Sequence, residues 1–360
     1  MGCASPGKCL SRALLTLLHR SLREPPQVVK IHRKIAGWTV GLLLVGGCGA
    51  GSSLLAGCSH DRARPPAPPA SSSPVAVVDA GPPPPPVTPA EPRPPFRTAL
   101  TLRGSELYLP PTFAGTSGQY DLMVHFHGEG RWQEANVERA KLNVAVVSIN
   151  LGMGTDPYSN TFRNPEVFDR LLADVQTEVT KDGRAGQTPK LHRLALSAWS
   201  AGFSSVSRVM SVMPDALADK VDAVLLADGF FTNFTDPKRR TVNRDGLARF
   251  VKLAEQARKN EKLFSITHTT IPTGPYPSVQ ECVGTLLELQ HLERKQCSID
   301  GPRPKMHQFY TVDDGSFHIR GFQGVRASDH VRQLHAMGET TYPYLKSRWE
   351  KQDAEAATAR

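Results

Sequence analysis

The chain has 360 residues, enough for one large domain or two ordinary ones, and 39% of them are hydrophobic, enough for a core. Its formal charge of +9 is unevenly spread, with +6 in residues 1–57, +1 in residues 58–98 and +2 in all that follows. The basic balance belongs to the N-terminal segment, and no basic stripe interleaved with aromatics comes after it, so nucleic acid is excluded as a partner of the folded part.

Residues 1–57 are predicted to be an export segment. Lys30, His32, Arg33 and Lys34 precede an uncharged stretch over 36–57 that ends Leu55-Ala56-Gly57-Cys58. A basic start, an apolar middle and a small-residue end are the parts of a secretory signal. The Leu-Ala-Gly-Cys end resembles a bacterial lipobox. That resemblance implies lipidation of Cys58 and a membrane anchor at the periplasmic or outer face of the cell envelope. A retained span over 38–57 is the competing reading, with the roughly 20 residues a bilayer requires; its six glycines argue for cleavage. Under either reading the positive-inside rule puts the rest of the chain outside the cytoplasm. Residues 58–96 read as a linker, because fourteen prolines fall between 61 and 96. Proline fixes φ and lacks an N–H, which leaves an extended spacer. The folded domain is expected over 97–352, with 353–360 a short tail.

From residue 98 the texture becomes strand and helix in turn. Two short strands are predicted within 98–110, then strands over 120–125 and 142–149. Asn164-Pro165-Glu166 is a helix start, with Asn as cap and Pro in the first turn, and Phe168, Leu171, Leu172 and Val175 continue it at helical spacing. A strand over 191–196, a helix over 201–213, a strand over 221–226 and a helix over 246–259 follow. Then come a strand over 262–267 and a helix over 278–291. Strands over 307–312 and 316–322 flank a turn holding Asp313 and Asp314, and one last helix is expected from 327 to 349. This alternation predicts an α/β fold, a mainly parallel twisted sheet with helices on both faces. Chemistry in such sheets gathers at the carboxyl ends of the strands. Beyond the export segment the only cysteines are Cys58, Cys282 and Cys297. With Cys58 lipidated, the other two either pair in an oxidising space, closing a loop of about 15 residues worth roughly 3 kcal/mol, or stay as thiols.

Two segments carry chemistry. Leu194-Ala195-Leu196-Ser197-Ala198-Trp199-Ser200-Ala201-Gly202 is an apolar strand, a turn with small residues on either side of Ser200, and a helix start. Upstream, Leu122-Met123-Val124-His125-Phe126-His127-Gly128-Glu129-Gly130 is a strand running into His-Gly-x-Gly. The first resembles the G-x-S-x-G nucleophile elbow of α/β-hydrolases, with Ala198 in place of the first glycine, and the second resembles the oxyanion loop of the same fold.

The resemblance implies an α/β-hydrolase fold over roughly 98–350 and a Ser-acid-His triad in that chain order. Ser200 is the implied nucleophile, and Gly128 or Glu129, together with Ala201, the implied oxyanion donors. Asp228, at the end of the strand after the elbow, is the expected acid, since residues 262–270 end Thr-His-Thr-Thr and offer no carboxylate. His330, between the last strand and the last helix, is the expected base, with His318 the alternative. His268 and Tyr158, with Asn160, are expected near substrate, and His127 is expected to orient the oxyanion loop. The implied activity is hydrolysis of a carboxylic ester, from a small molecule or a polymer, through a covalent acyl-enzyme. A non-catalytic binding or scaffold lipoprotein on the same fold, or a hydrolase of amide or thioester bonds, remains open. No cofactor is implied, and no histidine pair has zinc-ligand spacing.

Overall fold

A computed structural model describes residues 93–359. The export segment, Cys58 and the linker up to residue 92 lie outside the described residues. The chain enters through an antiparallel pair, β1 (Phe96–Ala99) and β2 (Ser105–Leu109). β3 (Gln119–Phe126), α1 (Gly130–Ala140) and β4 (Ala145–Ile149) follow. Then come α2 (Asp156–Thr161), α3 (Pro165–Asp182), β5 (Lys190–Trp199), α4 (Phe203–Val212) and the single-turn α5 (Asp215–Ala218). β6 (Val221–Ala227) leads to a small ribbon of β7 (Phe234–Asp236) and β8 (Thr241–Val242), then α6 (Ala248–Arg258), β9 (Leu263–His268) and α7 (Val279–Gln290). The chain closes with β10 (Lys295–Asp300), β11 (His307–Asp314), β12 (Phe317–Gln323), α8 (Ala327–His335), α9 (Met337–Thr340) and α10 (Tyr342–Thr358).

Ten strands form one sheet in the order β1-β2-β4-β3-β5-β6-β9-β12-β11-β10. The central run from β4 to β12 is parallel throughout, and two strands paired antiparallel complete each edge. This is the mainly parallel α/β sheet with helices on both faces that the sequence predicts. The alternation of side chains assigns the two faces. Leu122, Val124 and Phe126 of β3 join the core under α3, α4, α6 and α7, whereas Met123 joins the core under α1 and α8 to α10. Both faces being covered, β4 is buried at all five positions. Asn164 caps α3 as expected, its side chain accepting from the N–H of Glu166 at 3.1 Å.

Several elements differ from expectation for visible reasons. The last helix is broken into three. Asn136 of α1 donates to the carbonyl of Leu334 and accepts from the N–H of Gly338, tying up the backbone where the helix breaks. A Cβ at Gly338 would lie 2.5 Å from the carbonyl oxygen of Asn136, so α9 can pass α1 only with glycine there. The expected tail is helical through Thr358, because Gln352 and Asp353 both bind Arg193. Asp313 and Asp314 end β11, and the turn falls on Gly315 and Ser316 instead. The open question of the cysteines resolves as two thiols: Cys282 is buried in α7, and Cys297, on β10, contacts Gln308.

Candidate active site

β5 ends in a bend that only certain residues tolerate. Ser200 has φ +51°, in the left-handed region that non-glycine residues seldom enter. The bend is enforced by crowding on both sides. A Cβ at Gly202 would lie 2.0 Å from the carbonyl oxygen of Phe126, and one at Gly229 would lie 2.6 Å from both the N and the O of Ser200. Ala198 is still within β5, paired with Phe126 and Leu226, its methyl buried in the core, so the change from glycine at that position is accommodated. A turn of 3-10 helix over Ser200–Gly202 then leads into α4.

Asp228 directly follows β6, itself at φ +45°, with its N–H on the carbonyl of Thr267 at 2.7 Å. Its carboxylate is buried and fully engaged. One oxygen accepts from the N–H of Thr269 at 2.9 Å; the other accepts from the hydroxyl of Thr269 at 2.8 Å and meets His330 Nδ1 at 2.7 Å. With Nδ1 on the carboxylate, His330 keeps Nε2 free for a second partner. His330 is in the first turn of α8, which Asp329 caps by accepting from the N–H groups of Val325 and Arg326 at 3.0 and 2.9 Å. Trp199 fixes the same residue from the other side, its indole N–H donating to the His330 carbonyl at 3.0 Å and its ring 4.6 Å from the imidazole. Ser200 and His330 line one cavity, and no hydrogen bond joins their side chains among the described residues. Such contacts commonly close only with substrate in place. Thr269 was passed over in the sequence because its segment lacks a carboxylate; its part is to hold one.

The segment after β3 behaves differently from expectation. His125, not His127, holds the loop. Its Nε2–H donates to the carbonyl of His127 at 2.9 Å, which leaves Nδ1 to accept from the hydroxyl of Ser197 at 2.9 Å. Burial pushes His125 down to about 3. His127 has φ +74°, stacks on Trp199 at 4.9 Å and lines the cavity. Burial, with His330 nearby, pushes it down to about 4. Of the expected oxyanion donors, Ala201 lines the cavity beside Ser200, whereas Gly128 and Glu129 do not. Gly128 is crowded by Leu334, which a Cβ there would meet at 3.0 Å, and Glu129 turns its carboxylate to Arg131.

Tyr158, His268 and Asn160 are not at the cavity wall. Tyr158 is buried, its hydroxyl meeting His127 Nδ1 at 2.7 Å, the N–H of Leu151 at 3.0 Å and the carbonyl of Gly152 at 3.1 Å. It positions the His127 ring and the loop after β4. His268 is likewise buried, donating from Nδ1 to the carbonyl of Thr269 at 2.8 Å and accepting from the Tyr310 hydroxyl at 2.5 Å. Asn160 is exposed and binds Arg163. His318 also has a carboxylate at 2.7 Å, that of Asp313, but near the amino end of β12. There Asp313 is shared with Arg320 and Thr311, and the imidazole is stacked on Tyr344 at 3.9 Å. Although burial pushes the Asp313 carboxyl up, hydrogen bonds from His318, Arg320 and Thr311 take it well below the carboxylate range. This second pair is not brought to Ser200.

The cavity measures about 790 Å³ and lies at the carboxyl ends of β3, β5 and β6. Its far side is formed by the loop after β9.

No family model matches the sequence, and no curated protein matches it. Solved structures of similar arrangement include the ferric enterobactin esterase of Salmonella typhimurium, at TM-score 0.42 and 11% identity over 72% of this chain and 59% of that one. The feruloyl esterase module of Clostridium thermocellum gives 0.41 and 13% over 69% and 87%. The enterobactin esterase of Shigella flexneri gives 0.39 and 13% over 69% and 56%. The chain thus spans less than three-fifths of the length of either enterobactin esterase. At these identities and scores the likeness says nothing about substrate.

What the residues can do follows from their own chemistry. An imidazole with one nitrogen on a buried carboxylate and the other free is a proton acceptor. A hydroxyl on a strained turn at the start of a helix can attack a carbonyl, where the helix N-terminus and the N–H of Ala201 favour the negative charge that forms.

Proposed function

We propose that the chain is a serine hydrolase of carboxylic esters, with Ser200 as nucleophile, His330 as base and Asp228 as its orienting acid. The observation that carries this reading is the 2.7 Å contact of Asp228 with His330, made across 102 residues on the wall of the cavity that holds Ser200 at φ +51°. In the first half-reaction His330 Nε2 takes the Ser200 proton while Oγ attacks the ester carbonyl. The N–H of Ala201 stabilises the oxyanion, with His127 on the same cavity wall. His330 then gives its proton to the departing alcohol. Water, deprotonated by the same imidazole, releases the acid in the second half.

The test is to label the full-length protein with a fluorophosphonate and locate the adduct by peptide mass spectrometry. An adduct on Ser200 is expected. Its absence on folded protein would sink the enzyme reading in favour of a binding protein. Export and acylation of Cys58, read from the sequence, would place this activity at the cell envelope. Cells fed labelled palmitate should then label the protein and Cys58→Ser should abolish that label; a label that survives the substitution would rule out that anchor.

A further inference from the structure

The cavity wall has a chemical bias. Phe231, Ile271, Pro277 and Val279 present carbon to it, and Tyr276 and Met153 stand at its mouth, 48% and 89% exposed. Among the described residues no lysine, arginine or glutamate lines it. Its one carboxylate, Asp228, is taken up by Thr269 and His330. The remaining polar groups, on Thr232, Asn233 and Thr273 among others, are uncharged.

The loop that forms the far wall is pinned before any substrate arrives. Arg240 donates to the carbonyls of Thr273 and Gly274 at 3.1 and 3.4 Å, and its charge is spent on Glu281 through two contacts of 2.7 Å. Thr273 closes the turn by donating to the carbonyl of Tyr276 at 2.5 Å. The cation adjoining the wall therefore serves the backbone and does not face the cavity. A charged group entering would give up water and meet no counter-charge, which is strongly unfavourable. An apolar group would exchange water for the carbon of Phe231, Ile271 and Val279.

We infer that the site takes an uncharged ester with an apolar acyl group, aliphatic or aromatic, and rejects esters whose acyl group carries a charge. This rests on the serine-hydrolase reading, and the experiment keeps the two apart. Full-length protein is assayed with p-nitrophenyl acetate, p-nitrophenyl pentanoate and the mono-p-nitrophenyl ester of glutaric acid, which is the pentanoate with its terminal methyl replaced by carboxylate. Fluorophosphonate labelling is run alongside. The expected order of kcat/KM is pentanoate, acetate, glutarate monoester, with about 10²-fold between the first and last. Met153→Arg, which supplies a cation at the mouth, should narrow that gap about tenfold. Labelling of Ser200 with the monoester turned over as fast as the pentanoate would overturn the inference and leave the hydrolase reading standing. An unchanged ratio in Met153→Arg would also count against it. Absence of both labelling and turnover would overturn the two together.

Discussion

At their carboxyl ends β3, β5 and β6 each give way to a non-glycine residue at positive φ: His127, one residue beyond β3, then Ser200 and Asp228, and all three line the cavity. At their amino ends the same strands are fastened to α10. Arg193 of β5 is buried against Asp121 of β3 at 2.5 Å and reaches Asp353 at 2.9 Å, and Asp222 of β6 accepts from Nε and Nη2 of Arg348, each at 2.8 Å. Backbone strain of the first kind costs about 1–3 kcal/mol per residue and persists only where the surroundings over-determine it. One end of the sheet is therefore shaped for reactivity and the other for cohesion, within strands only seven to ten residues long.

Substitutions at the two ends should separate these roles. The largest effect is expected at the carboxyl ends: His330→Ala and Asp228→Asn should each lower kcat/KM by about 10⁴-fold in folded protein, read by ester hydrolysis alongside circular dichroism. Thr269→Val, which removes one donor to Asp228 and keeps its shape, should cost about tenfold, and Thr269→Ser should restore it. Near-normal turnover in His330→Ala would remove the base from the proposed triad. At the amino ends, Arg193→Met should leave kcat/KM within about twofold while lowering unfolding stability by roughly 3 kcal/mol, because Asp121 loses its partner. Urea denaturation measures this, and a loss of activity without loss of stability would erase the distinction.

Acid should act on the two ends in a set order. Burial lowers the pKa of His125 and His268 at the reactive end. An imidazole in the unfolded chain protonates near 6.5, so a folded value depressed below that makes stability complete above about pH 6.5 and lost as pH falls towards the folded value. His125, held down to about 3, should contribute a loss of about 1 kcal/mol per pH unit between pH 6.5 and 5, and His268 should act in the same direction. Asp222 at the cohesive end is opposed by burial, but hydrogen bonds from Arg348, Trp349 and Gln352 hold it below the usual carboxylate value, so its protection persists to lower pH. Stability that is flat from pH 7 to 5 would contradict the buried, neutral histidines.

The succession of strands along the chain is legible because β3 to β6 are near-continuous apolar runs, and the elbow because small residues crowd around one serine. α1 gave no such signal. Its inward face sets Gln133, Glu134 and Asn136, engaged with Tyr342, Arg97 and the backbone of α8 and α9, beside only Val137 and Ala140, so too few apolar positions mark its period. β10 lacks alternation for a different reason, since it is mostly exposed and buries neither face. Within the site, Ser200 and Ala201 of the elbow and Asp228 and His330, named from their places after strands, line one cavity, while Gly128, Glu129, Tyr158, Asn160 and His268 do not. Tyr158 and His268 lie beside the right strands but point into the protein, and nothing in local sequence distinguishes a ring that faces a cavity from one a residue away that faces a core. Thr269 was missed because a hydroxyl that orients a carboxylate leaves no motif.

Trp199 is one of four tryptophans in the chain, and its indole lies against both His127 and His330. Protonated imidazole quenches indole emission, so the ring doubles as an optical probe. Its fluorescence should dim as His330 gains a proton and recover when the proton leaves, giving each half of the catalytic cycle a signal that needs no coloured substrate.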